Sequence, residues 1–299
     1  MVELWFFYVF SAMLIWGFNA IIDKFILTKH LNAFSYLVAY IPAGLVVLAG
    51  ILLSVPIDFN SISYYLAFFA GMISVVGYYL YSFAMKKEEV SRISALSCLY
   101  PAFVAVFAGL ILKEIFSLRS YMGIALMILG AILISYKRSS LKKTIPIIVI
   151  LMIIGTNFAY GFEQTISKLS LQHFSFLQFF AAYLIGKSFT VIPSLAVPSF
   201  RRNLIGEFRR LRKSIILLLA FSSSFWLLGA IFFFYAASLG PITFVSTISI
   251  LSPFITLFVA VFFTRFLPKI LKEEIDSKTF SLKLFSIILI VFGTYLITV

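Results

Sequence analysis

Ten long runs of apolar residues, separated by short polar or proline-containing breaks, constrain this chain most strongly. Each run is about 20 residues long, the length at which an α-helix crosses the hydrocarbon core of a bilayer. A soluble domain of 299 residues that is 62% hydrophobic could not cover so much apolar surface with a polar shell. The sequence therefore predicts an all-α integral membrane protein with ten transmembrane helices. The predicted spans are 4–23, 34–54, 62–85, 92–112, 119–136, 145–167, 175–196, 214–238, 241–264 and 280–298.

The two halves of the chain repeat each other in sequence. The segment WGFNAIIDK, which begins at Trp16, aligns with YGFEQTISK, which begins at Tyr160, at a separation of 144 residues. A second alignment places SALSCLYPAF, from Ser94, on STISILSPFI, from Ser246, at a separation of 152 residues. A hydrophobic chain built twice from one unit is typical of transporters with internal symmetry.

The alignments divide the chain into a first five-helix repeat, residues 1–140, and a second, residues 141–299. An odd number of helices per repeat inserts the two halves in opposite senses, so the repeats are predicted to be inverted. Of the 24 Lys and Arg residues, 20 fall in or beside the loops after helices 1, 3, 5, 7 and 9, and only 3 at the even-numbered loops. The positive-inside rule puts the odd loops in the cytoplasm and both termini outside the cell.

Composition excludes several other classes of protein. The net charge of +13 is explained by loop charges that set topology, and no basic segment accompanies a nucleic-acid recognition module, so no nucleic-acid partner is expected. Cys98 is the single cysteine, and His30 and His173 are the two histidines. No metal or phosphate motif is present, so we expect no cofactor and no metal. A membrane-embedded enzyme would need clustered His, Asp, Glu or Cys in its spans, and we therefore predict a protein that is not an enzyme.

One family combines these features in this order. They are the Trp-Gly pair at Trp16, a Ser- and Ala-rich fourth helix with the central Pro101, then Glu114, and a fifth helix that carries Gly123 and Gly130. Doubled into ten helices, the chain resembles the drug/metabolite transporter superfamily, in its branch of EamA-type permeases, over nearly its whole length. In the second copy Phe266 stands where Glu114 would repeat. The resemblance implies a central cavity between the two repeats, alternating access, and small organic solutes or amino acids as substrates.

Lys187 and Glu163 are the charged residues that point to a transport site. Lys187 lies about 12 residues into the seventh span, about 18 Å along a helix, and a lysine at that depth needs water or a partner. It suits a carboxylate or another anion, unless its side chain snorkels to the interface. Glu163, which aligns with Asn19, is a substrate-site and proton-coupling candidate, with an interfacial position as the alternative. Asp23 and Lys24, at the predicted end of the first helix, are expected at the interface.

Aromatic and hydroxyl side chains near the aligned motifs complete the predicted substrate site. Rings at these positions either line a cavity or form an interfacial belt, and small hydroxyls either pack helices or contact solute. Proline within a span provides a bending point for gating. The further substrate-binding candidates are Trp16, Tyr79, Ser97, Tyr100, Tyr160, Tyr235 and Ser249, and the hinge candidates are Pro101 and Pro253.

The leading functional hypothesis is a secondary transporter in the cell membrane that exports amino acids or related small metabolites by alternating access. Two alternatives remain within transport: exchange of anionic metabolites such as sugar phosphates, which a lone deep cation disfavours, and translocation of lipids or amphiphiles. A channel is a further alternative, which saturation and counterflow would distinguish from a carrier. The expected partners are a small-molecule substrate and the lipid bilayer, and a monomer is the simplest oligomeric state.

Overall fold

The computed structural model describes residues 4–97, 99–113, 117–135, 145–248, 252–266 and 277–298. These residues form thirteen α-helices and one 3-10 helix. In a bilayer, backbone polar groups must be satisfied within the segment, which is why apolar runs of this length fold as helices. In the first half the helices are α1 (Leu4–Lys29), α2 (Ala33–Leu52), α3 (Ile62–Lys87), α4 (Val90–Ser97), α5 (Tyr100–Ile111) and α6 (Leu118–Ser135).

The second half follows the same order with two additions. A 3-10 turn (Ile192–Ala196) forms the end of the seventh predicted span, and an exposed helix, α9 (Pro198–Arg209), stands where only a loop was predicted. The helices are α7 (Ile147–Leu171), α8 (Phe176–Val191), α9 (Pro198–Arg209), α10 (Lys213–Leu239), α11 (Ile242–Ile248), α12 (Ser252–Phe266) and α13 (Ser277–Thr298).

Seven of the ten predicted spans are long and apolar enough to cross a membrane, judged by length and composition. One of them, Val90–Ile111, combines α4 and α5, and another, Phe176–Ala196, combines α8 and the 3-10 turn. The other three predicted spans contain shorter apolar helices, namely Tyr121–Gly130, Ile255–Phe266 and Ser281–Gly293. The prediction of an all-helical membrane protein is confirmed, and the exact set of ten spans stays a prediction.

The strongest helix contacts join the two halves of the chain. Helix α3 packs along α7 and α8, α1 along α10 and α12, and α6 along α13. The alignments imply that α1, α3 and α6 correspond to α7, α10 and α13. Exchanging the two halves then turns the α3–α7 pair into the α10–α1 pair and leaves the α6–α13 pair unchanged. The pattern is the one that a duplicated unit would produce.

One polar contact occurs twice, at equivalent positions. Lys24 donates from Nζ to the carbonyl oxygen of Met85, at 2.6 Å, and to that of Glu88. Lys168, which is 144 residues further on, donates to the carbonyl oxygens of Ala237 and Gly240, both at 2.9 Å. Residues 237 and 240 lie 152 residues after 85 and 88, so the acceptors follow the second alignment register. Each lysine thus binds carbonyl oxygens at the C-terminal end of the third predicted span of its own half, which is α3 in the first half and α10 in the second. A cation is favoured at the C-terminus of a helix.

Helix α9 is tied to the turn between α1 and α2. Its Glu207 carboxylate accepts from the backbone N of Asn32 at 3.2 Å and from Asn32 Nδ2 at 2.9 Å. Asn32 in turn caps α2 by accepting from the backbone N of Ser35 at 2.9 Å. The loops after the first and seventh predicted spans therefore meet on one side of the protein, in agreement with the sidedness predicted from their charges.

Candidate functional site

A cavity of about 150 Å³ lies among α1, α3, α4, α5, α7, α8, α10 and α12, which come from both halves of the chain. An engineered cavity of about that volume binds benzene, so the space suits a small solute. Its wall combines nine aromatic rings with a smaller number of polar groups, as is usual for ligand pockets. The rings are Trp16, Tyr78, Tyr81, Tyr100, Tyr160, Tyr183, Trp226, Phe233 and Phe234. The polar residues are Asn19, Asp23, Ser74, Ser94, Ser97, Glu163, Gln164 and Ser252.

Glu163 forms the polar centre on the α7 side of the cavity. It is 4% exposed and is therefore buried among the helices. Its carboxylate is hydrogen-bonded with the hydroxyl of Tyr183 on α8 and experiences the charge of Lys187. Tyr183 is also hydrogen-bonded with Ser74 on α3, so three helices hold this carboxylate in place.

Lys187 stands beside the cavity, one helical turn after Tyr183 on α8. Its Nζ lies 3.8 Å from the centroid of the Trp226 ring and 5.7 Å from that of Tyr183, and both rings line the cavity. A cation over an indole face is attracted by the negative face of the ring. Nζ is not within 4 Å of the Glu163 carboxylate, since no ion pair joins these two described residues. The ammonium group therefore approaches the cavity through Trp226, and a solute anion or water can lie between it and Glu163.

A second carboxylate, Asp23 on α1, faces the cavity from the opposite half. It is 3% exposed, which contradicts the prediction that it lies at the interface. Helix α1 extends to Lys29, six residues beyond the predicted end at 23, so Asp23 lies about 9 Å inside the helix. The residues that donate to its carboxylate come from four helices. They are Tyr36, Tyr40, Ser222 and Asn19 to Oδ1, at 2.5, 3.0, 3.1 and 2.9 Å, and Tyr78 to Oδ2, at 3.0 Å.

The structure brings most of the predicted substrate residues to this one cavity. Six line it, and Lys187 contacts its wall. The six are Trp16, Asn19, Ser97, Tyr100, Tyr160 and Glu163.

Two predicted site residues do not line the cavity, and a third is not described. Tyr79 is 40% exposed and lies in a separate groove with residues of α2, α8 and α9. Tyr235 packs edge-on against Tyr8 and Phe176, with centroids 4.8 and 5.3 Å away. Ser249, like Glu114, lies outside the described residues.

Each of the two predicted hinge prolines stands in the first turn of a described helix. Helix α4 ends at Ser97 and α5 begins at Tyr100, so Pro101 is the second residue of α5. In the other half α11 ends at Ile248 and α12 begins at Ser252, so Pro253 is the second residue of α12. Proline is favoured in the first turn of a helix, where its missing N–H costs no hydrogen bond.

Sequence reasoning missed the partners that build both carboxylate centres. Tyr36, Tyr40 and Ser222 were not singled out, although Asn19 and Asp23 stand four residues apart, the spacing that places two side chains on one helix face. Tyr183 carried a signal in the sequence, because the segment VAY that ends at Tyr40 aligns with the segment AAY that ends at Tyr183, which places the two tyrosines at equivalent positions in the two halves.

Comparison with known proteins agrees with this architecture. A solved structure described as "Crystal structure of protein" superposes with a TM-score of 0.54 at 14% sequence identity, covering 96% of each chain, which shows a shared fold. Among curated proteins, none matches the chain. Residues 3–136 match the EamA-like transporter family, a family of membrane transporters and not of enzymes, so the predicted resemblance to the drug/metabolite transporters is confirmed over these residues.

Proposed function

We propose that this protein is a secondary transporter that exports amino acids or related small solutes across the cell membrane by alternating access. The observation that carries the proposal is the cavity between the two halves, which has carboxylates on its wall and an ammonium group beside it. An amino acid carries one ammonium and one carboxylate group. Glu163 would hold the ammonium group, and Lys187 would attract the carboxylate from behind Trp226.

The cavity also argues against the anionic alternative. A phosphate site usually has more than one cationic or N–H donor aimed at the phosphate oxygens. Lys187 is the one cation that approaches this cavity among the described residues, and two carboxylates would repel a sugar phosphate. Charge complementarity therefore favours solutes with an amino group.

Alternating access is supported by the matched architecture of the two halves. The Lys24 and Lys168 contacts occur at equivalent positions, and in each half the proline is the second residue of a described helix. Inverted repeats commonly rock against each other around a site at their interface. We propose that Pro101 and Pro253 mark the bending points, and that one chain forms the complete pathway as a monomer with both termini outside the cytoplasm.

Counterflow in proteoliposomes tests the proposed carrier activity. Vesicles preloaded with unlabelled amino acids should accumulate the same labelled solute, because a carrier reorients with either molecule bound. Uptake should saturate with external concentration. Vesicles without protein and vesicles preloaded with sugar phosphates serve as controls. Linear uptake that preloading does not accelerate would contradict a carrier and favour a channel, and counterflow restricted to sugar phosphates would contradict the substrate class. Preparations of known protein orientation establish the direction of net flux.

Glu163→Gln should remove any dependence of uptake on a pH gradient. The glutamine amide keeps the size of the side chain and can still bond with Tyr183, but it cannot release and take up a proton. The comparison is initial uptake with and without an imposed pH gradient, in the native protein and in this variant. Asp58→Asn is a matched control, because Asp58 is an exposed carboxylate in the loop between α2 and α3. A Glu163→Gln protein that still follows the gradient would exclude Glu163 as the proton carrier.

A further inference from the structure

The Asp23 centre has a buried carboxyl group and, among the described residues, no basic partner. All five of its hydrogen-bond donors are neutral hydroxyl or amide groups. Within the described part of the chain, no Lys or Arg side chain lies within ion-pair distance of Asp23. Burying a carboxylate is costly unless it is paired, so this group needs a cation from outside the chain or a proton.

The neighbouring basic side chains contact other groups. Lys24 bonds to the carbonyl oxygens at the end of α3. Arg92 pairs with Glu89, with Nε 3.2 Å from Oε2. The Nζ of Lys187 lies over the ring of Trp226. None of these cations neutralises Asp23.

Asn19 supplies a second observation that points to a ligand. The residue is 1% exposed and lines the cavity, and its Oδ1 has no hydrogen-bond partner. Its Nδ2 is 2.9 Å from Asp23 Oδ1, so the orphaned oxygen lies within about 5 Å of the carboxylate, one amide width further on. A buried acceptor without a donor is costly, and a bound cation would satisfy it.

The two carboxylate oxygens are unequal. Oδ1 has four donors, which is more than its lone pairs can accept in strong hydrogen bonds. Among the described residues, Oδ2 accepts only from the Tyr78 hydroxyl. The hydroxyls also bond to one another, with 2.6 Å between those of Tyr36 and Tyr40 and 2.7 Å between that of Tyr40 and Ser222 Oγ. Each hydroxyl group can rotate so that its proton points to a neighbouring oxygen while a lone pair stays free to accept. The cluster can therefore present oxygens to a cation without leaving its own protons unpaired.

We propose that Asp23, Asn19 and the hydroxyls of Tyr36, Tyr40, Tyr78 and Ser222 form a binding site for one monovalent cation. Hard cations prefer oxygen ligands of this kind, and a single carboxylate matches a single positive charge. Two sources share this chemistry: an alkali metal ion and the ammonium group of a small solute. Tyrosine rings about the carboxylate, with centroids of Tyr36 and Tyr40 4.9 Å apart, also suit an organic ammonium group.

The site is joined to the Lys187 side of the cavity by Trp226. The centroid of its ring lies 6.0 Å from that of Tyr40 and 5.7 Å from that of Tyr78, and Lys187 Nζ lies over the same indole. A cation bound at the Asp23 centre would therefore change the environment of the Trp226 ring. The use of the cation in transport rests on the proposed function, but its binding does not and can be measured alone.

The test is cation-dependent thermal unfolding of the full chain in detergent, with intrinsic tryptophan fluorescence as a second readout. The probes are NaCl, KCl and methylammonium chloride, and N-methyl-D-glucamine chloride keeps ionic strength constant. We expect at least one probe to raise the Tm by about 5 °C at 100 times its Kd. Asp23→Asn should abolish that shift, and Asp58→Asn, which removes an exposed carboxylate, should retain it. A response to Na⁺ or K⁺ assigns an alkali ion, and a response to methylammonium alone assigns an organic ammonium group.

A milder variant keeps the test decisive if Asp23→Asn fails to fold. Ser222→Ala removes one hydroxyl oxygen and leaves the carboxylate, and we expect it to raise the cation Kd about fivefold, the loss of one hydrogen-bond-strength contact. If no probe shifts the Tm, or if Ser222→Ala leaves the Kd unchanged, the cation site is overturned. Neither result would bear on whether the protein shows counterflow, so failure here is separable from failure of the transport proposal.

Discussion

Replacing Lys187 by methionine is expected to lower kcat/KM for transport by about 10- to 100-fold, because an interaction with a charged group contributes about 1.5–3 kcal/mol. Methionine keeps most of the aliphatic length that packs on Tyr183 and Trp226 but has no charge. The loss should therefore fall on transport, and yield and Tm should stay close to those of the native protein. The measurement is saturable counterflow of the solute that the native protein accepts.

Two comparisons separate the charge of Lys187 from general damage. Lys213→Met removes an exposed lysine at the start of α10 and should leave transport unchanged. The double variant with Glu163→Gln should lose less than the two single losses combined, because the two charges interact and their effects are not additive. Unchanged kinetics in Lys187→Met would show that this lysine snorkels to the interface and takes no part in transport.

The Lys187 and Glu163 predictions have a simple physical basis. A charge inside an apolar span is costly, so the sequence itself marks it as needing a cavity or a partner. The helical segments were predictable for the same reason, since about 20 apolar residues can satisfy their backbone in a bilayer only as a helix. Pro101 and Pro253 were singled out as bending points on the same kind of argument, because proline lacks the N–H that a helix interior needs.

Asp23 shows where this reasoning stops. Reading apolar runs ends α1 at residue 23, because Asp23 and Lys24 look like a polar boundary. The structure continues the helix to Lys29, because carbonyl oxygens of α3 bind Lys24 and hydroxyls of three other helices bind Asp23. Ser222 lies 199 residues away in the chain. A partner at that separation cannot be deduced from local sequence pattern.

Tyr79 shows a second limit, which is rotational. Adjacent residues on a helix point about 100° apart, so Tyr78 and Tyr79 lie on different faces of α3. Tyr78 donates to Asp23, and Tyr79 faces a separate groove. Both tyrosines lie near an aligned motif, and only the packing of α3 against its neighbours decides which of them reaches the site.

The glycine contact between α3 and α8 should be the most sensitive packing position near the site. A Cβ added at Gly71 would lie 2.0 Å from the carbonyl oxygen of Tyr183 and 2.9 Å from the backbone N of Lys187. The reciprocal contact is as close, since a Cβ at Gly186 would lie 1.9 Å from the carbonyl oxygen of Phe68. Small residues let membrane helices approach this closely, and backbone atoms cannot swing aside as a flexible side chain can.

Gly71→Ala should therefore both destabilise the protein and impair the site. Overpacking of this kind costs about 3 kcal/mol, which corresponds to a fall in Tm of about 6–12 °C. The alanine would push the α8 backbone away at Tyr183 and Lys187, so transport per folded molecule should fall as well. Gly50→Ala is the control for the alanine itself. No atom lies within 4 Å of a Cβ at Gly50, and helix propensity alone predicts a gain of up to about 1 kcal/mol.

A second glycine distinguishes loss of stability from loss of the site. A Cβ at Gly130 would lie 2.7 Å from the carbonyl oxygen of Ser286, at the contact of α6 with α13, and neither helix contributes a side chain to the cavity wall. Gly130→Ala should lower the Tm by a similar amount and leave counterflow per folded molecule unchanged. If both variants lost transport equally, general loosening of the bundle would explain the effect. If Gly71→Ala alone loses transport, the close approach of α3 and α8 is what positions Tyr183 and Lys187 beside the cavity.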